Sequence, residues 1–124
     1  MSGRELIRNF LREDRVEGDV LRVLAMSLGS IWLSELVNEV NAFNLSLGID
    51  RNYSSREVFK AVKNLEKAGL VEVREGIKAV LGVSDGVRDY LISVKDIADI
   101  IPVIVTDEKY VRYKLLLREY LGVE

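Results

Sequence analysis

Apolar residues recur every three or four positions near the middle of the chain, a spacing that predicts an amphipathic helix with one face in a core. These positions are Val58, Ala61, Val62, Leu65 and Ala68. Ser54 lies just before them and Glu57 follows it three residues later, which is typical of a capping box at a helix N-terminus. Gly69 is suited to end the helix, because glycine readily adopts the left-handed conformation found after a last helical turn. The pattern therefore predicts a helix over residues 55–68.

The residues after this helix alternate between apolar and polar, as in a β-strand with one buried face. The alternation covers residues 70–75, and Glu75-Gly76 is a turn signal. A second strand over residues 77–83 would complete a hairpin. We therefore predict a β-hairpin over residues 70–83.

Shorter helical patterns flank this helix and hairpin on both sides. The predicted flanking helices cover residues 4–14, 20–28, 34–43, 85–91, 94–101 and 107–121. Glu17-Gly18 is interpreted as a break, Asp19 and Thr106 as N-caps, and Pro102 as the start of an extended segment. These signals predict a chain that is mostly helical outside the hairpin.

The connections between the helices carry two further signals. Ile31 and Trp32 form a short extended link into the core. Residues 44–53 are polar and contain a glycine, and they are too many for a tight turn. Either a loop is inserted before the capped helix, or the preceding helix extends beyond Phe43.

Basic residues form a second stripe on the capped helix, on a different face from the apolar one. They are Arg56, Lys60, Lys63 and Lys67. The net charge of the chain is −2, but residues 51–78 carry seven basic and four acidic groups, whereas acidic groups are in excess on either side. The positive charge is therefore concentrated in the segment that contains the capped helix and the start of the hairpin.

The order of helix, helix, capped basic helix, Gly-Leu-Val and hairpin resembles that of the winged helix-turn-helix transcription regulators. Residues 58–71, VFKAVKNLEKAGLV, closely resemble the recognition helix and first wing strand of that superfamily. Residues 33–37, LSELV, resemble the start of its second helix. The resemblance covers roughly residues 19–83 and is to the bacterial and archaeal branch that includes MarR-like and PadR-like regulators.

The resemblance implies a fold that is mainly α with a small β-hairpin (α+β), in a single domain over residues 1–124. The winged-helix core would cover about 19–83. The helices at 4–14 and 107–121 would be additional elements, comparable to the dimerisation helices of such regulators.

The resemblance also implies a DNA-binding transcriptional regulator that reads double-stranded DNA with the helix at 55–68 and the wing at 70–83. The implied contacts are Arg51, Tyr53, Ser55, Arg56, Lys60, Lys63, Asn64, Lys67, Arg74 and Lys78. Ser55, Arg56 and Lys60 would face base edges or phosphates, and Asn64 could pair with adenine. The other lysines and arginines would hold phosphates or the groove beside the wing, which positions the protein without specifying sequence.

Two less specific interpretations of the same residues stay open. The basic stripe can be an ordinary solvated helix face. Winged helices also dock onto other proteins, so the alternative function is an adaptor module in a larger complex with a protein partner. The acidic net charge and the long connection before the capped helix are consistent with that alternative.

The last predicted helix carries apolar residues on more than one face, which a small domain with one core cannot bury by itself. We expect a homodimer in which this helix forms the interface. The predicted interface residues are Tyr110, Tyr113, Leu116, Leu117, Tyr120 and Leu121. The alternative is that the helix lies in a deep groove of its own chain, against the first helix.

Arginines line one side of the first helix, at Arg4, Arg8, Arg12 and Arg15, and the first three are four residues apart. Like charges at this spacing are slightly unfavourable in an isolated helix, so a negative partner is expected. We favour acidic groups of the fold or of the dimer over DNA. The candidates are Asp96, Asp99 and Glu108.

The chain has no histidine and no cysteine, which removes the commonest general base, the commonest metal ligand and any thiolate chemistry. No motif for a nucleophile, a phosphate loop or a metal site is present. We therefore predict no enzyme activity, no catalytic residue, no metal site and no cofactor. A small-molecule sensor, with a pocket between the core and the terminal helices, is a third alternative.

The sequence also bears on where the protein acts. No apolar run approaches the ~20 residues that span a bilayer, and the N-terminus is too charged for a secretory signal. We expect a cytoplasmic protein that has no contact with a membrane. The absence of cysteine and glutamine is typical of thermophile, including archaeal, proteins.

Overall fold

The computed structural model describes residues 2–122 and has a mixed α+β fold, as predicted. The helices in this part of the chain are α1 (Gly3–Arg12), α2 (Val16–Met26), α3 (Leu33–Ser46), α4 (Ser55–Lys67), α5 (Ile97–Ile104) and α6 (Glu108–Leu121). The strands are β1 (Ser30–Trp32), β2 (Val71–Val80) and β3 (Val83–Val94). None of the helices in the described residues is both long and apolar enough to cross a membrane.

The three strands form one antiparallel sheet in the order β1-β3-β2. β2 and β3 pair along their length, from Val71 opposite Val94 to Val80 opposite Val83. β1 adds only three pairs, beside residues 91–93 of β3. The far part of the hairpin therefore lies beyond β1, and its two strands pair only with each other.

The apolar faces of the helices meet the base of this sheet in the core. Four of the five predicted core positions, Val58, Ala61, Val62 and Leu65, are buried, whereas Ala68 is the C-cap of α4 and is only partly buried. They join a cluster that includes Leu21 and Leu24 of α2, Leu36 and Phe43 of α3, Ile92 of β3, and Ile100 and Ile104 of α5. α3 extends to Ser46, so the longer-helix alternative is correct, and a loop over residues 47–54 leads into α4.

The predicted turn at Glu75-Gly76 is wrong, because both residues lie inside β2, opposite Tyr90 and Asp89. The glycine lets the Trp32 ring pack closely on β2, because a Cβ on Gly76 would lie 3.1 Å from Cη2 of that ring. The strands instead turn at residues 81–82, where Gly82 has a φ of +85°.

The predicted helix over residues 85–91 is also wrong, because this segment is part of β3. Gly86 has a φ of +72°, and a Cβ there would lie 2.6 Å from Cγ2 of Ile77 on the opposite strand. Gly86 thus faces a residue of the neighbouring strand. The spacing of apolar residues along the chain does not show a contact of this kind. The hairpin therefore covers residues 71–94 rather than 70–83.

The predicted break at Glu17-Gly18 is wrong as well, since both residues lie within α2. A Cβ on Gly18 would lie 2.8 Å from the carbonyl oxygen of Phe10, so the glycine lets α1 and α2 approach closely. Asp19 is not an N-cap but a fully buried carboxylate inside the same helix.

Two further predictions near the C-terminus need correction. Pro102 does not begin an extended segment but lies inside α5, where the burial of Ile100, Val103 and Ile104 outweighs one missing helical hydrogen bond. Asp107, not Thr106, caps α6, since its carboxylate accepts a hydrogen bond from the backbone N–H of Tyr110 at 2.9 Å.

The arginines of α1 have different surroundings. Arg4 forms the expected contact with an acidic neighbour, since its Nε lies 3.6 Å from Oδ1 of Asp99 on α5. Arg8 and Arg12 form no ion pair within residues 2–122. The acidic-neighbour prediction therefore holds for Arg4 and for Arg15, which pairs with Glu13 and Glu17.

Candidate nucleic-acid interface

The start of α4 is held by the capping box that the sequence predicted. The backbone N–H of Glu57 donates to Oγ of Ser54, and the backbone N–H of Ser54 donates to Oε1 of Glu57, both at 3.1 Å. These bonds satisfy two of the N–H groups that a helix start leaves unpaired. The first turn is therefore rigid, and Ser55 lies exposed within it.

The basic stripe of α4 lies on the side opposite its buried face, because the two sets of residues are half a turn apart around the helix. Arg56, Lys60 and Lys67 are exposed and form no ion pair or side-chain hydrogen bond within residues 2–122. Lys63 differs, since its Nζ lies 2.7 Å from Oε1 of Glu66. Three cations along one exposed face are thus available to a ligand.

Asn64, which was predicted to reach a base, lies on the flank of this stripe. Its side chain is only partly exposed. The backbone carbonyl oxygen of Asn64 accepts a hydrogen bond from the backbone N–H of Ala68 at the end of the helix. The structure thus brings Asn64 to the edge of the basic face rather than its centre.

Arg51 has a partner within the fold. Its guanidinium donates to both carboxylate oxygens of Asp14, which lies just after α1, and one of these distances is 2.6 Å. The hydrogen bonds from Arg51 lower the pKa of Asp14, and the same interaction raises the pKa of Arg51. Arg51 fastens the loop before α4 to the rest of the domain.

Tyr53 likewise positions the loop. Its backbone N–H and C=O both bond to the side-chain amide of Asn41 on α3, at 2.8 and 3.0 Å. Its hydroxyl lies 3.3 Å from Oδ2 of Asp19, and burial raises the pKa of the Tyr53 phenol. The bonds of Arg51 and Tyr53 therefore fix the position of the start of α4 relative to α1 and α3.

The two wing cations that the sequence predicted lie apart from the basic face of α4. Arg74 pairs with Glu72 at 3.5 Å, and Lys78 with Glu35 at 2.9 Å. Val73 packs against the core, and both side chains lie on the other face of β2. The structure does not bring these two residues together with α4.

Arg88, which the sequence pattern did not indicate, lies on the α4 side of the hairpin. Arg88 shares a strand face with Tyr90, whose ring centroid is 5.3 Å from that of Phe59 on α4. Its side chain is 81% exposed, and its Nη1 lies 3.4 Å from Oε1 of Glu75. The β-branched and aromatic residues of the segment, Val87, Tyr90, Ile92 and Val94, were the available strand signal.

The far end of the hairpin is apolar instead of basic. Ile77, Leu81, Val83 and Val87 are exposed there, and Leu81 is fully so. Residues 79–87 contain no lysine or arginine. The positive charge near α4 thus ends at Arg88 and does not continue to the tip.

The predicted interface residues of α6 fall into two groups. Tyr110, Tyr113 and Leu117 are half-buried, and the ring of Tyr113 lies 4.8 Å from that of Phe43. The exposed group is Leu116, Tyr120 and Leu121. None of the residues of α6 is fully buried, so this helix packs on its own chain along one side only.

Comparison of the sequence with protein-family models and with curated proteins gives no match. Within residues 2–122, no three carboxylates lie close enough to hold a metal ion. The assignment of an interface to α4 therefore depends on the geometry and charge of that helix and its surroundings.

Proposed function

We propose that the protein is a winged-helix DNA-binding regulator in which α4 is the recognition helix and the β2–β3 hairpin is the wing. The succession α2, β1, α3, α4, β2, β3 and the sheet order β1-β3-β2 support this assignment. The observation that carries it is the row of unpaired cations on α4, on the side facing away from the core.

In this proposal α4 enters the major groove with its N-terminal end foremost. Ser55, Arg56 and Lys60 reach base edges or adjacent phosphates, and the positive end of the helix macrodipole adds to the attraction. Lys67 binds a phosphate on one side of the groove, and Arg88 binds the backbone on the wing side.

The experiment that tests this function is a titration of the protein into labelled duplex DNA of random sequence, followed by anisotropy at several salt concentrations. Each phosphate neutralised changes the slope of log K against log salt by roughly −0.9, so four cations predict about −4 for each protomer bound. The absence of binding at low salt would overturn the proposal.

The exposed part of α6 supports a homodimer, in which paired α6 helices place two copies of α4 in successive major grooves about 34 Å apart. Exposed Leu116 and Tyr120 lie on one side of the helix and would pack against the partner.

Leu116→Asp is expected to convert a dimer, of twice the 14.0 kDa of one chain, into a monomer, because it places a charge in an apolar interface. Sedimentation equilibrium measures the mass. Val111→Asp is the matched control, since Val111 has nearly the same exposure, 38% against 40%, but lies on the other side of α6. A wild-type monomer would contradict the dimer.

The apolar tip of the hairpin favours a second candidate, a protein-docking adaptor. Residues 79–87 at the tip carry no cation that could bind a phosphate, whereas exposed Ile77, Leu81 and Val83 suit an apolar partner. The salt titration separates the two candidates, because an adaptor has no salt-dependent affinity for duplex DNA.

A further inference from the structure

α5 is apolar all around its axis, although only one side of it is buried in the core. Its sequence is IADIIPVI, in which Asp99 is the single charged residue. The exposed apolar residues, one of which lies just after the helix, are Ile97, Ala98, Ile101, Pro102 and Val105. A helix that is hydrophobic all round is normally buried all round. The exposed side of α5 is therefore suited to contact another molecule.

Leu28, at the end of α2, adds to this apolar surface. Its φ is +59°, a left-handed conformation that is unfavourable for leucine. It is 93% exposed, so no burial within the chain offsets the strain. The next residue lies beside α5, because a Cβ on Gly29 would be 3.4 Å from Cδ1 of Ile97. A strained and exposed leucine indicates a contact outside its own chain. Leu28 and the exposed residues of α5 together form the α5 face.

The hairpin tip is the second exposed apolar surface. Its exposed apolar residues are Ile77, Val80, Leu81, Val83 and Val87. The tip and the α5 face each present on the order of 400 Å² of apolar surface, close to the non-polar part of one side of a standard protein interface. The two surfaces are thus matched in size, and each is large enough for a weak but specific contact.

One chain cannot bring its own hairpin tip and α5 face together. The hairpin turns at residues 81–82, and α5 begins beyond the other end of β3. β3 has 12 residues. An extended strand of that length spans roughly 40 Å. The two surfaces therefore lie at opposite ends of the molecule, so a contact between them requires a second copy of the chain.

The charges beside the two surfaces suit such a contact. Asp85 is the only charged residue of the tip, and it forms no ion pair or side-chain hydrogen bond within residues 2–122. Lys95, just before α5, is exposed and likewise forms none in that range. The acidic groups of α5 are engaged, since Asp96 accepts a backbone N–H of the helix and Asp99 pairs with an arginine of α1 at 3.6 Å. An approaching tip therefore brings a carboxylate towards a lysine.

We propose that the hairpin tip of one copy packs against the α5 face of a second copy, in a head-to-tail contact. Leu81 is buried against Ile101 and Leu28 of the neighbouring copy, and Asp85 comes near its Lys95. The contact joins different surfaces of the two copies, so it builds open chains or closed rings. It involves neither α4 nor α6, so it holds or fails independently of DNA binding and of the α6 dimer.

Sedimentation equilibrium of the full-length protein tests the contact. All proteins carry Leu116→Asp, so that the α6 dimer does not add to the measured mass. Because the contact is small, we expect the mass to rise above the 14.0 kDa of one chain at concentrations well above those that separate the α6 dimer from its monomer. Leu81→Asp and Ile101→Asp are each expected to weaken this association by roughly tenfold or more, because each places a charge in an apolar contact.

A mixture of these two variants identifies the head-to-tail arrangement. The Leu81→Asp copy keeps its α5 face and the Ile101→Asp copy keeps its tip, so an equal mixture is expected to form pairs and nothing larger. Leu45→Asp is the matched control, since Leu45 is also exposed but belongs to neither surface. It should associate like the protein that carries Leu116→Asp alone. Circular dichroism checks that all variants keep the fold.

Three results would overturn the proposal. If the protein that carries Leu116→Asp alone stays monomeric at every concentration, the two surfaces have other partners. If only one of the two variants weakens association, the copies pair tip to tip or α5 face to α5 face. If the mixture stays monomeric, or if Leu45→Asp weakens association as much as the other two changes, the head-to-tail contact is excluded.

Discussion

Asp19→Ala is expected to lower the free energy of unfolding by about 3 to 5 kcal/mol, the cost typical of leaving a buried charge without its partner. Oδ1 of Asp19 accepts hydrogen bonds from Arg22 at 2.8 Å and from Lys109 at 2.7 Å, and Oδ2 accepts one from Asn44 at 3.0 Å. Asp19 is fully buried. Its removal therefore leaves two cations near the core with too few negative partners, and the link of α6 to α2 is reduced to the bonds between Arg22 and Asp107.

Urea denaturation of the variant, followed by circular dichroism, measures this decrease in stability. Asp14→Ala is the matched control, because it removes a carboxylate that also holds an arginine but is 69% exposed. For such a pair we expect a decrease of about 1 kcal/mol or less. An Asp19→Ala variant as stable as the control would contradict the structural role assigned to the buried carboxylate.

Lys60→Glu together with Lys67→Glu is expected to reduce affinity for duplex DNA on the order of 100-fold near 0.1 M salt. Binding then releases roughly one counterion fewer for each lysine that no longer neutralises a phosphate, and the two new carboxylates repel the backbone in addition. Both side chains are exposed and unpaired within the described residues, so the fold should be unaffected. Anisotropy titration measures the affinity, and thermal unfolding checks the fold.

Arg8→Glu together with Lys114→Glu changes the net charge of the protein by the same amount on α1 and α6. We expect this control to retain most of the affinity, since a change in net charge alone weakens long-range attraction and is screened by salt. An equal reduction of affinity in the two variants would mean that α4 is not the binding face. Wild-type affinity in the α4 variant would exclude α4 as the binding face.

The Asp19 variant and the α4 variant affect different parts of one arrangement. The network around Asp19 joins α2, α3, the loop at Tyr53 and the start of α6. That network holds the segment from which α4 begins, while the cations of α4 face outward. A variant of the network is therefore expected to affect stability first, whereas a variant of the α4 face should affect binding alone.

The helix α4 could be predicted from the sequence to within one residue at its C-terminal end, together with its capping box and its buried and basic faces. Each of these depends on residues no more than four positions apart, and helical periodicity makes such relations visible in the chain itself. Arg56, Lys60 and Lys67 were found for the same reason.

The hairpin could not be predicted in the same way. Gly76 was interpreted as a turn residue and Gly86 fell within a predicted helix, but their surroundings include Trp32 and Ile77, which approach from other strands. Because the turn was predicted too early in the chain, residues 85–91 were predicted to be a helix, and Arg88 was not recognised as part of the hairpin. It also placed Arg74 and Lys78 at a tip that in fact carries neither.

The sequence by itself determined α4 with its capping box, the direction of its apolar face and the concentration of positive charge on it. Tertiary structure alone decided the register of β2 with β3, the burial of Asp19 among Arg22, Lys109 and Asn44, and the pairing of Arg51 with Asp14. The physical reason is the separation along the chain of the residues that interact. Periodicity and caps act between neighbours along the chain, whereas strand pairing and buried ion pairs join residues that only the folded packing brings together.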